Sequence, residues 1–492
     1  MKAFFFSLIV LVMLAGCTGS GILQPPSDPV ERLKYDIDRF LADSLFVPAR
    51  ASITVVSLES GEVLYERDNK LLMHPASNLK LLTSSAALDT LGKDFEFKTC
   101  ILVDSLTPSG TVLGNAYLKG FGDPDLRTTD LDSLASLLKM SGVDTVLGNV
   151  VADASYFDDL AWGSGWMWDD EPESDEMYIS AVSVNKNCVT VTVTPGDSAG
   201  VPAKVSVDPP TRYVDLIHRA VTVKDTVVHR LRVSRRFRER SNTITVEGEI
   251  PIDTSARKTT TISVWQPDLY AAELFKESLE RAGIQVFGRA SIGITSVAAL
   301  EKTRHVRRLD SVVVNLNKVS DNLSAENTLK TISATVFGPP GSAPSGITFV
   351  HQFLTSFGID STKYVMVDGS GVSHYNLLTS EIVTRLLAGM YRRSDLFPVF
   401  YESLPIAGVD GTMEKRMRGT AAEGNLRAKT GTISGVSSLS GYVRGRGGEM
   451  LAFSILMQNF ARSSGAYRNV QDSIGIMLAG FNRHKPVAAT IQ

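Results

Sequence analysis

Four serine–lysine pairs, each three positions apart, could supply a nucleophile and the base that activates it. Their serines are Ser77, Ser136, Ser183 and Ser255. A serine hydroxyl attacks a carbonyl only while a base removes its proton. Lysine, with an ordinary pKa of about 10.4, becomes such a base only when burial or a second cation lowers its pKa. The spacing alone therefore predicts a site but does not choose between the four serines.

The elements around each pair favour Ser77. Pro75 is typical of a helix start, the residues after Lys80 have helical apolar spacing, and Gly92 is a natural stop. We therefore expect Ser77 in the first helical turn, with Lys80 on the same face one turn later. The other three serines lie mid-helix, in a strand-like stretch and in a polar segment, where a structural role is the simpler interpretation.

Two later clusters could supply the partners that this lysine needs. Ser320-Asp321-Asn322 enters a predicted helix, and Lys429-Thr430-Gly431 lies on a predicted strand before a hairpin. The order Ser-x-x-Lys, Ser-x-Asn, Lys-Thr-Gly is the signature of active-site serine enzymes that react with β-lactams. Lys429 would be the second cation. Taken singly, the middle cluster could be a helix cap and the last a plain strand end.

Longer stretches around these clusters carry a resemblance to a known family. They are PASNLKLLTSSAAL, LNKVSDNLSAENTLK, VDGSGVSHYNLLT, LPIAGVDGTMEKRMRGT, LRAKTGTISGVSSLSGYV, GFGDPDL and GWMWDDEP. From about residue 30 onward the chain resembles the class C low-molecular-mass penicillin-binding proteins, the D-alanyl-D-alanine carboxypeptidase/endopeptidase family. This implies an α/β (α+β) fold with an antiparallel sheet, helices on both of its faces, and strand-rich insertions.

The resemblance also implies roles for the residues that match the motifs. Lys80 would take the proton of Ser77, the Ser320 hydroxyl would pass it to the leaving amine, and Asn322 would hold Lys80 and the substrate amide. Lys429 would bind the terminal carboxylate of the substrate.

The resemblance also implies roles for other residues of the strand that carries Lys429. The hydroxyl of Thr430 or Thr432 would bind the same carboxylate as Lys429. Gly431, which has no side chain, would let the peptide lie along the strand. The backbone N–H groups of Ser77 and Thr432 would form the oxyanion hole.

Recognition of the substrate side chain is a separate expectation from the same resemblance. It points to Trp166, Asp169 and Asp170 as contacts for the distal amine of a diaminopimelate-type peptide, although a charged loop with partly buried tryptophans is an equally good interpretation. His374 stands where the family usually has arginine. A neutral imidazole binds carboxylates less well than a guanidinium, which leaves the side-chain preference open.

The expected partners are peptidoglycan stem peptides and, as covalent inhibitors, β-lactams, without a metal or cofactor. Two alternatives stay open: a β-lactamase or esterase of the same fold, and a non-catalytic lipoprotein that binds the cell wall. The formal charge of -3 over 492 residues gives no support for nucleic-acid binding. No Cys/His spacing suggests zinc.

The N-terminus predicts export and lipidation. Lys2, an apolar run and small residues form a secretory signal, and Leu14-Ala15-Gly16-Cys17 resembles a lipobox in which Cys17 becomes the lipidated first residue. Residues 18–29 have the composition of a flexible tether. The expected location is the periplasmic side of the cell envelope, lipid-anchored, with the outer membrane favoured in a Gram-negative source.

The remaining chain divides by its predicted elements. A catalytic domain is expected from residues 30–99 and 311–492, with a strand-rich insertion of two nested subdomains at 100–310. Within the insertion, the basic stretch 229–240 fits an edge strand with a solvated face better than a site for an anionic partner. Whether Cys100 and Cys188 pair is left open by the sequence.

Overall fold

The computed structural model describes residues 25–224, 231–253, 255–461 and 463–484. The signal segment, Cys17, most of the tether and the first two residues of the basic stretch lie outside them. In the described ranges, no helix is both long and apolar enough to cross a membrane.

The helices and strands belong to two regions, one built from both ends of the chain and one formed by the insertion. The α-helices are α1 (Pro29–Leu41), α2 (Lys80–Leu91), α3 (Thr128–Met140), α4 (Pro267–Arg281), α5 (Leu309–Lys318), α6 (Asn322–Phe337), α7 (Ala343–Thr355), α8 (Ser380–Tyr391), α9 (Phe397–Ser403) and α10 (Gly465–Gly480). The strands are β1 (Arg50–Ser57), β2 (Val63–Arg67), β3 (Glu96–Val103), β4 (Thr111–Val112), β5 (Ala116–Gly120), β6 (Thr145–Val146), β7 (Val150–Asp153), β8 (Cys188–Thr194), β9 (Lys204–Asp208), β10 (Asp215–His218), β11 (Val221–Val223), β12 (Arg232–Arg235), β13 (Thr243–Glu247), β14 (Glu249–Pro251), β15 (Lys258–Ser263), β16 (Gln285–Val286), β17 (Ala290–Ile292), β18 (Leu300–Arg308), β19 (Arg427–Ile433), β20 (Val436–Arg444) and β21 (Met450–Gln458).

The two ends of the chain build one antiparallel sheet, in the order β19-β20-β21-β1-β2. Alternate side chains of β21 enter different cores: Phe453 and Ile455 pack with α1 and α10, whereas Ala452 packs with α2 and α5–α9. Because both faces are covered, β20 and β21 are buried almost throughout instead of alternating between buried and exposed residues. The predicted antiparallel sheet with helices on both faces is confirmed.

The insertion has its own five-stranded sheet, in the order β17-β7-β5-β3-β18, with parallel and antiparallel pairs. Smaller sheets of β8, β9 and β15 and of β10, β12 and β13 share one hydrophobic core with it and with α3 and α4. Strand β3 runs through the division expected between residues 99 and 100. The chain returns to the helical layer where the Leu309 N–H donates to the Phe95 carbonyl.

Two open points of the sequence receive structural answers. Cys100 and Cys188 are both buried free thiols. Strand β12, inside the basic stretch, lies at the edge of its three-stranded sheet, as an edge strand was expected to do. Arg235 departs from the expected solvated face, because its side chain is buried and pairs with Glu171.

Candidate active site

Ser77 lies in a tight 3-10 turn, Ala76–Leu79, that runs directly into α2. The predicted helical start is correct in position, but its first turn is narrower than an α-helix. Ala76 has a left-handed backbone conformation (φ 47°), which residues other than glycine rarely adopt. Gly371 crosses this turn so closely that a Cβ on it would be 1.9 Å from the Ala76 carbonyl oxygen. Strain of this kind is typical of residues held for function.

Hydrogen bonds fasten this turn to the edge strand β19 and its neighbour. The Asn78 side-chain amide donates to the Lys429 carbonyl (3.1 Å) and to Ser438 Oγ (2.8 Å). The Ser438 hydroxyl in turn donates to the Pro75 carbonyl (2.7 Å). A Cβ on Gly431 would be 2.3 Å from Ser438 Oγ, so this glycine permits the approach of the turn to the strand.

Lys80 is fully buried beside the serine. Its Nζ lies 3.0 Å from Ser77 Oγ, 2.5 Å from Asn322 Oδ1 and 2.6 Å from the Ser370 carbonyl oxygen. Burial lowers the lysine pKa to about 8, against the opposing pull of nearby carboxylates. A neutral amine has two hydrogens for the two carbonyl oxygens and one lone pair. That lone pair is available to the Ser77 hydroxyl proton.

Two buried carboxylates, which the motifs did not reveal, support this lysine. Glu326 accepts from the Gly369 N–H (3.0 Å) and the Ser370 N–H (2.8 Å), so it holds the loop whose carbonyl binds Lys80. Asp368 accepts from the Gly371 N–H (2.8 Å). Burial raises the pKa of both carboxyl groups, that of Glu326 to about 7. Both lie inside the stretches that resembled the family, but neither belongs to a triad.

Ser320 and the buried Lys429 are in direct contact. The Lys429 Nζ is 2.8 Å from Ser320 Oγ and 2.8 Å from the Thr430 carbonyl oxygen. Burial, followed by repulsion from Lys80, lowers the pKa of Lys429 well below its ordinary value. Ser320 itself has a left-handed backbone (φ 65°). The helix cap is therefore not this serine.

The capping role belongs to its neighbour. Asp321 Oδ1 accepts from the Ser324 N–H (2.7 Å) at the start of α6, and Oδ2 pairs with Lys186 of the insertion (2.5 Å). Asn322 then faces Lys80 with its oxygen while its nitrogen donates to the Asp175 carbonyl (2.7 Å). The middle cluster thus caps a helix and presents two side chains to the cleft.

A cleft of about 420 Å³ connects these groups. Ser77, Ser320 and Asn322 line it together with Thr430, Gly431 and Thr432 of β19; Thr412, Arg416 and Arg468 also border it. The Thr430 hydroxyl donates to Thr412 (2.7 Å), whereas the Thr432 side chain is exposed. Thr412 and Arg416 lie inside a stretch that resembles the family but belong to none of the three motifs, and Arg468 lies outside those stretches.

The residues expected to recognise the substrate side chain do not line this cleft. Trp166 is buried and donates from Nε1 to Asp368 (3.1 Å). Asp169 is exposed, and Asp170 accepts from the Met167 N–H (3.2 Å). His374 packs against the ring of His74, with 5.5 Å between the centroids.

Acidic residues slightly farther along the chain line the cleft instead. They are Asp175 and Glu176. Burial and the neighbouring Asp170, Asp175 and Glu173 raise the Glu176 pKa to about 7. Burial and His74 lower the pKa of His374, which favours the neutral imidazole. Among the described residues, His, Cys, Asp and Glu side chains form no cluster that could hold a metal ion.

Comparison with known proteins identifies the family of this chain. The model of the D-Ala-D-Ala carboxypeptidase 3 (S13) family matches residues 33–480. A D-alanyl-D-alanine carboxypeptidase of an Actinomadura strain is 38% identical over 470 residues, which are 92% of this chain and 85% of the relative. The D-alanyl-D-alanine carboxypeptidase DacB of Haemophilus influenzae is 27% identical over 415 residues, 81% of this chain and 83% of the relative.

A solved structure shares the fold. The crystal structure of penicillin binding protein 4 from Haemophilus influenzae superposes with a TM-score of 0.78 at 24% identity. The superposition covers 89% of this chain and 98% of that one. The paired sheets and the helical layers are therefore the architecture of a known fold.

Proposed function

This chain belongs to the D-Ala-D-Ala carboxypeptidase 3 (S13) family, and from that premise we propose that it hydrolyses D-alanyl-D-alanine bonds of peptidoglycan stem peptides through an ester on Ser77. The observation that carries the proposal is the surroundings of the Lys80 amine. Its nitrogen lies within hydrogen-bonding distance of the Asn322 and Ser370 carbonyl oxygens and 3.0 Å from the Ser77 hydroxyl, so the neutral amine can give its two hydrogens to the carbonyls and accept the serine proton. This supports the enzyme over a non-catalytic scaffold, which has no use for such an arrangement.

Acylation begins when Ser77 Oγ attacks the carbonyl carbon of the penultimate residue. Lys80 Nζ takes the hydroxyl proton as the C–O bond forms, because at a pKa of about 8 a useful fraction of this amine is neutral. The N–H groups of Ser77 and Thr432, whose residues line the same cleft, are the proposed donors to the oxyanion. Removing one such donor typically slows a reaction about 10²–10³-fold.

The leaving amine needs a proton as the C–N bond breaks. The Ser320 oxygen accepts from Lys429, so its own hydrogen can point into the cleft toward that amine. Lys429 is also the proposed partner of the substrate's terminal carboxylate, together with the exposed Thr432 hydroxyl. Water then attacks the ester carbonyl and Ser77 leaves with a proton, which restores the free enzyme.

The proposed substrate class includes cross-linked as well as terminal peptides, and β-lactams as inhibitors that acylate Ser77. Trp166 has the position of a supporting residue, since its indole contacts Asp368 rather than the cleft. Asp169, Asp170 and His374 are proposed to act on the substrate side chain from the rim of the site. Residues 30–99 and 311–492 are proposed as the catalytic domain, with 100–310 as the insertion.

Release of D-alanine from a monomeric pentapeptide muropeptide tests the function. The wild type is expected to release it, and Ser77→Ala and Lys80→Met are expected to release none above the uncatalysed rate. Ser136→Ala is the matched control, since its hydroxyl only donates to the Asp132 carbonyl within α3. Equal D-alanine release by wild type and Ser77→Ala would refute the proposal.

We further propose that Cys17 carries a lipid that anchors the enzyme at the periplasmic side of the cell envelope. The support is the lipobox sequence and the tether-like composition of residues 18–29. A palmitate analogue fed to cells should label the wild type and not Cys17→Ala. Equal labelling of the two proteins would end the lipoprotein proposal.

A further inference from the structure

A second groove adjoins the proposed active site. It encloses about 540 Å³ between α5 and the insertion, so it is larger than the catalytic cleft. Val319 lines both spaces, which makes them neighbours. The ion pair between Lys186 and Asp321 also joins the groove wall to the middle catalytic cluster.

The groove is lined by more positive than negative side chains. Four cations, Arg127, Lys186, Arg307 and Lys318, face a single carboxylate, Asp125. Asp125 accepts from the Asn315 amide (2.7 Å), and burial raises its pKa to about 7, which further weakens its negative charge near neutral pH.

The cations differ in what already neutralises them. Lys186, Arg307 and Lys318 each pair with an aspartate outside the groove lining, at 2.5, 2.9 and 2.6 Å. Arg127 is exposed, and its guanidinium forms no ion pair with any residue that the structure describes. Its charge is therefore available to a bound anion, and its fork of donors suits a carboxylate.

The position of the groove relative to the reaction follows from Ser320. Under the proposed function, on which this step rests, the Ser320 hydroxyl protonates the leaving amine. Val319, next to Ser320, lines the groove, so the groove opens beside the hydroxyl that would protonate the leaving amine. A single D-alanine is too small to occupy it, whereas a second stem peptide, released when a cross-link is cut, would extend along it.

We propose that this groove is a binding site for the carboxylate-bearing leaving peptide of a cross-linked substrate, with Arg127 as its free cationic anchor. The site would make the cleavage of cross-linked peptides, which is part of the proposed function, separable by mutation from the release of terminal D-alanine. Lys186 and Lys318 add positive potential; Lys186 also holds the groove wall to Asp321 of the middle cluster, whereas Lys318 pairs with Asp410. Because their charges are already paired, they contribute less to binding than Arg127.

The test compares two substrates on the full-length protein. One is a cross-linked muropeptide dimer with free carboxylates, and the other is the monomeric pentapeptide muropeptide. Arg127→Gln should lower kcat/KM for the dimer about fivefold, and Arg127→Glu about tenfold or more, since a charge-assisted hydrogen bond is lost and then replaced by repulsion. Release of D-alanine from the monomer should stay within about twofold of wild type for both variants, which also shows that they fold.

Two controls make the comparison specific. Arg446→Glu changes an equally exposed arginine in the turn after β20, at the end of that strand opposite the cleft residue Ser437, and should alter neither rate. A dimer whose free carboxylates on the leaving stem peptide are amidated should be cut more slowly by wild type and should no longer distinguish wild type from Arg127→Gln.

Three other outcomes would overturn the proposal, and each identifies a different error. If wild type releases D-alanine but does not cut the dimer, or if Arg127→Glu cuts the dimer at the wild-type rate, the groove does not bind the leaving peptide. If the Arg127 variants lower kcat/KM by the same factor for the free and the amidated dimer, the proposal that Arg127 binds a carboxylate is wrong. If wild type fails to release D-alanine from the monomer, the proposed function itself fails.

Discussion

Replacement of Gly431 by alanine should slow acylation while leaving the fold intact. A Cβ at this position would be 2.3 Å from Ser438 Oγ, 2.9 Å from the Ser77 nitrogen and 3.0 Å from the Pro75 carbonyl oxygen. Real Cβ atoms do not approach other atoms to 2.3 Å. Since two of the three neighbours are backbone atoms, a side-chain rotation cannot relieve every contact. Either Ser438 or the turn that carries Ser77 must move.

The contacts set the size of the effect. Rotating Ser438 away would break its hydrogen bonds to Pro75 (2.7 Å) and from Asn78 (2.8 Å), each worth about 0.5–1.5 kcal/mol. Moving the turn instead would displace Ser77 Oγ from Lys80, and a misplacement of about 1 Å in a reacting group costs about 10²-fold in rate. We therefore expect the acylation rate of Gly431→Ala to fall between about 10-fold and 10²-fold.

Stopped-flow acylation by a fluorescent penicillin, together with thermal unfolding, would measure this effect. Gly480→Ala in α10 is the matched control, because a Cβ there meets no atom within 4 Å. That control should acylate at the wild-type rate. Wild-type acylation by Gly431→Ala would show that the strand does not press on the nucleophile turn and would refute the reasoning.

Two further predictions concern the pH dependence that Lys80 sets, and a third concerns the stability contributed by Trp166. The second-order acylation constant should rise with pH through about 8, because the neutral form of this lysine is the base; a flat profile from pH 6 to 9 would contradict its assignment. Glu326→Gln removes a charge that raises the Lys80 pKa, so the rise should move to lower pH; an unchanged or upward-moved profile would be the wrong sign. Trp166→Phe removes the indole hydrogen bond to Asp368 and should lower the free energy of unfolding by about 0.5–1.5 kcal/mol, measured by denaturant titration. No change in unfolding free energy would mean that this contact is not structural.

The sequence was a good guide where chemistry and local structure coincide. Ser77 was preferred over three similar serines because a helix start surrounds it, and the structure places Lys80 Nζ 3.0 Å from its hydroxyl. Lys429-Thr430-Gly431 was expected on a strand before a hairpin, and it lies on β19, which pairs with β20. The residue types that mark a helix start or a strand are local in the sequence, so they can be recognised from a single chain.

Features that depend on distant contacts were beyond the sequence. Trp166 looked like a substrate contact, but its indole is directed into the protein by Asp368, 202 positions away. Glu326 belongs to no motif, and its role follows only from the distant Gly369 and Ser370, whose N–H groups donate to it. The groove beside Val319 joins segments that no periodicity relates. In each case tertiary packing, not composition, decides what the side chain does.

The most direct test of the account is the site of acylation. Full-length protein treated with benzylpenicillin, digested and examined by mass spectrometry should carry the drug on the peptide that contains Ser77, and the adduct should persist for the length of the experiment. Ser77→Ala should carry none, while Ser183→Ala and Ser255→Ala should be labelled as wild type. A stable adduct on another serine, or rapid turnover of nitrocefin with no trapped adduct, would contradict the account.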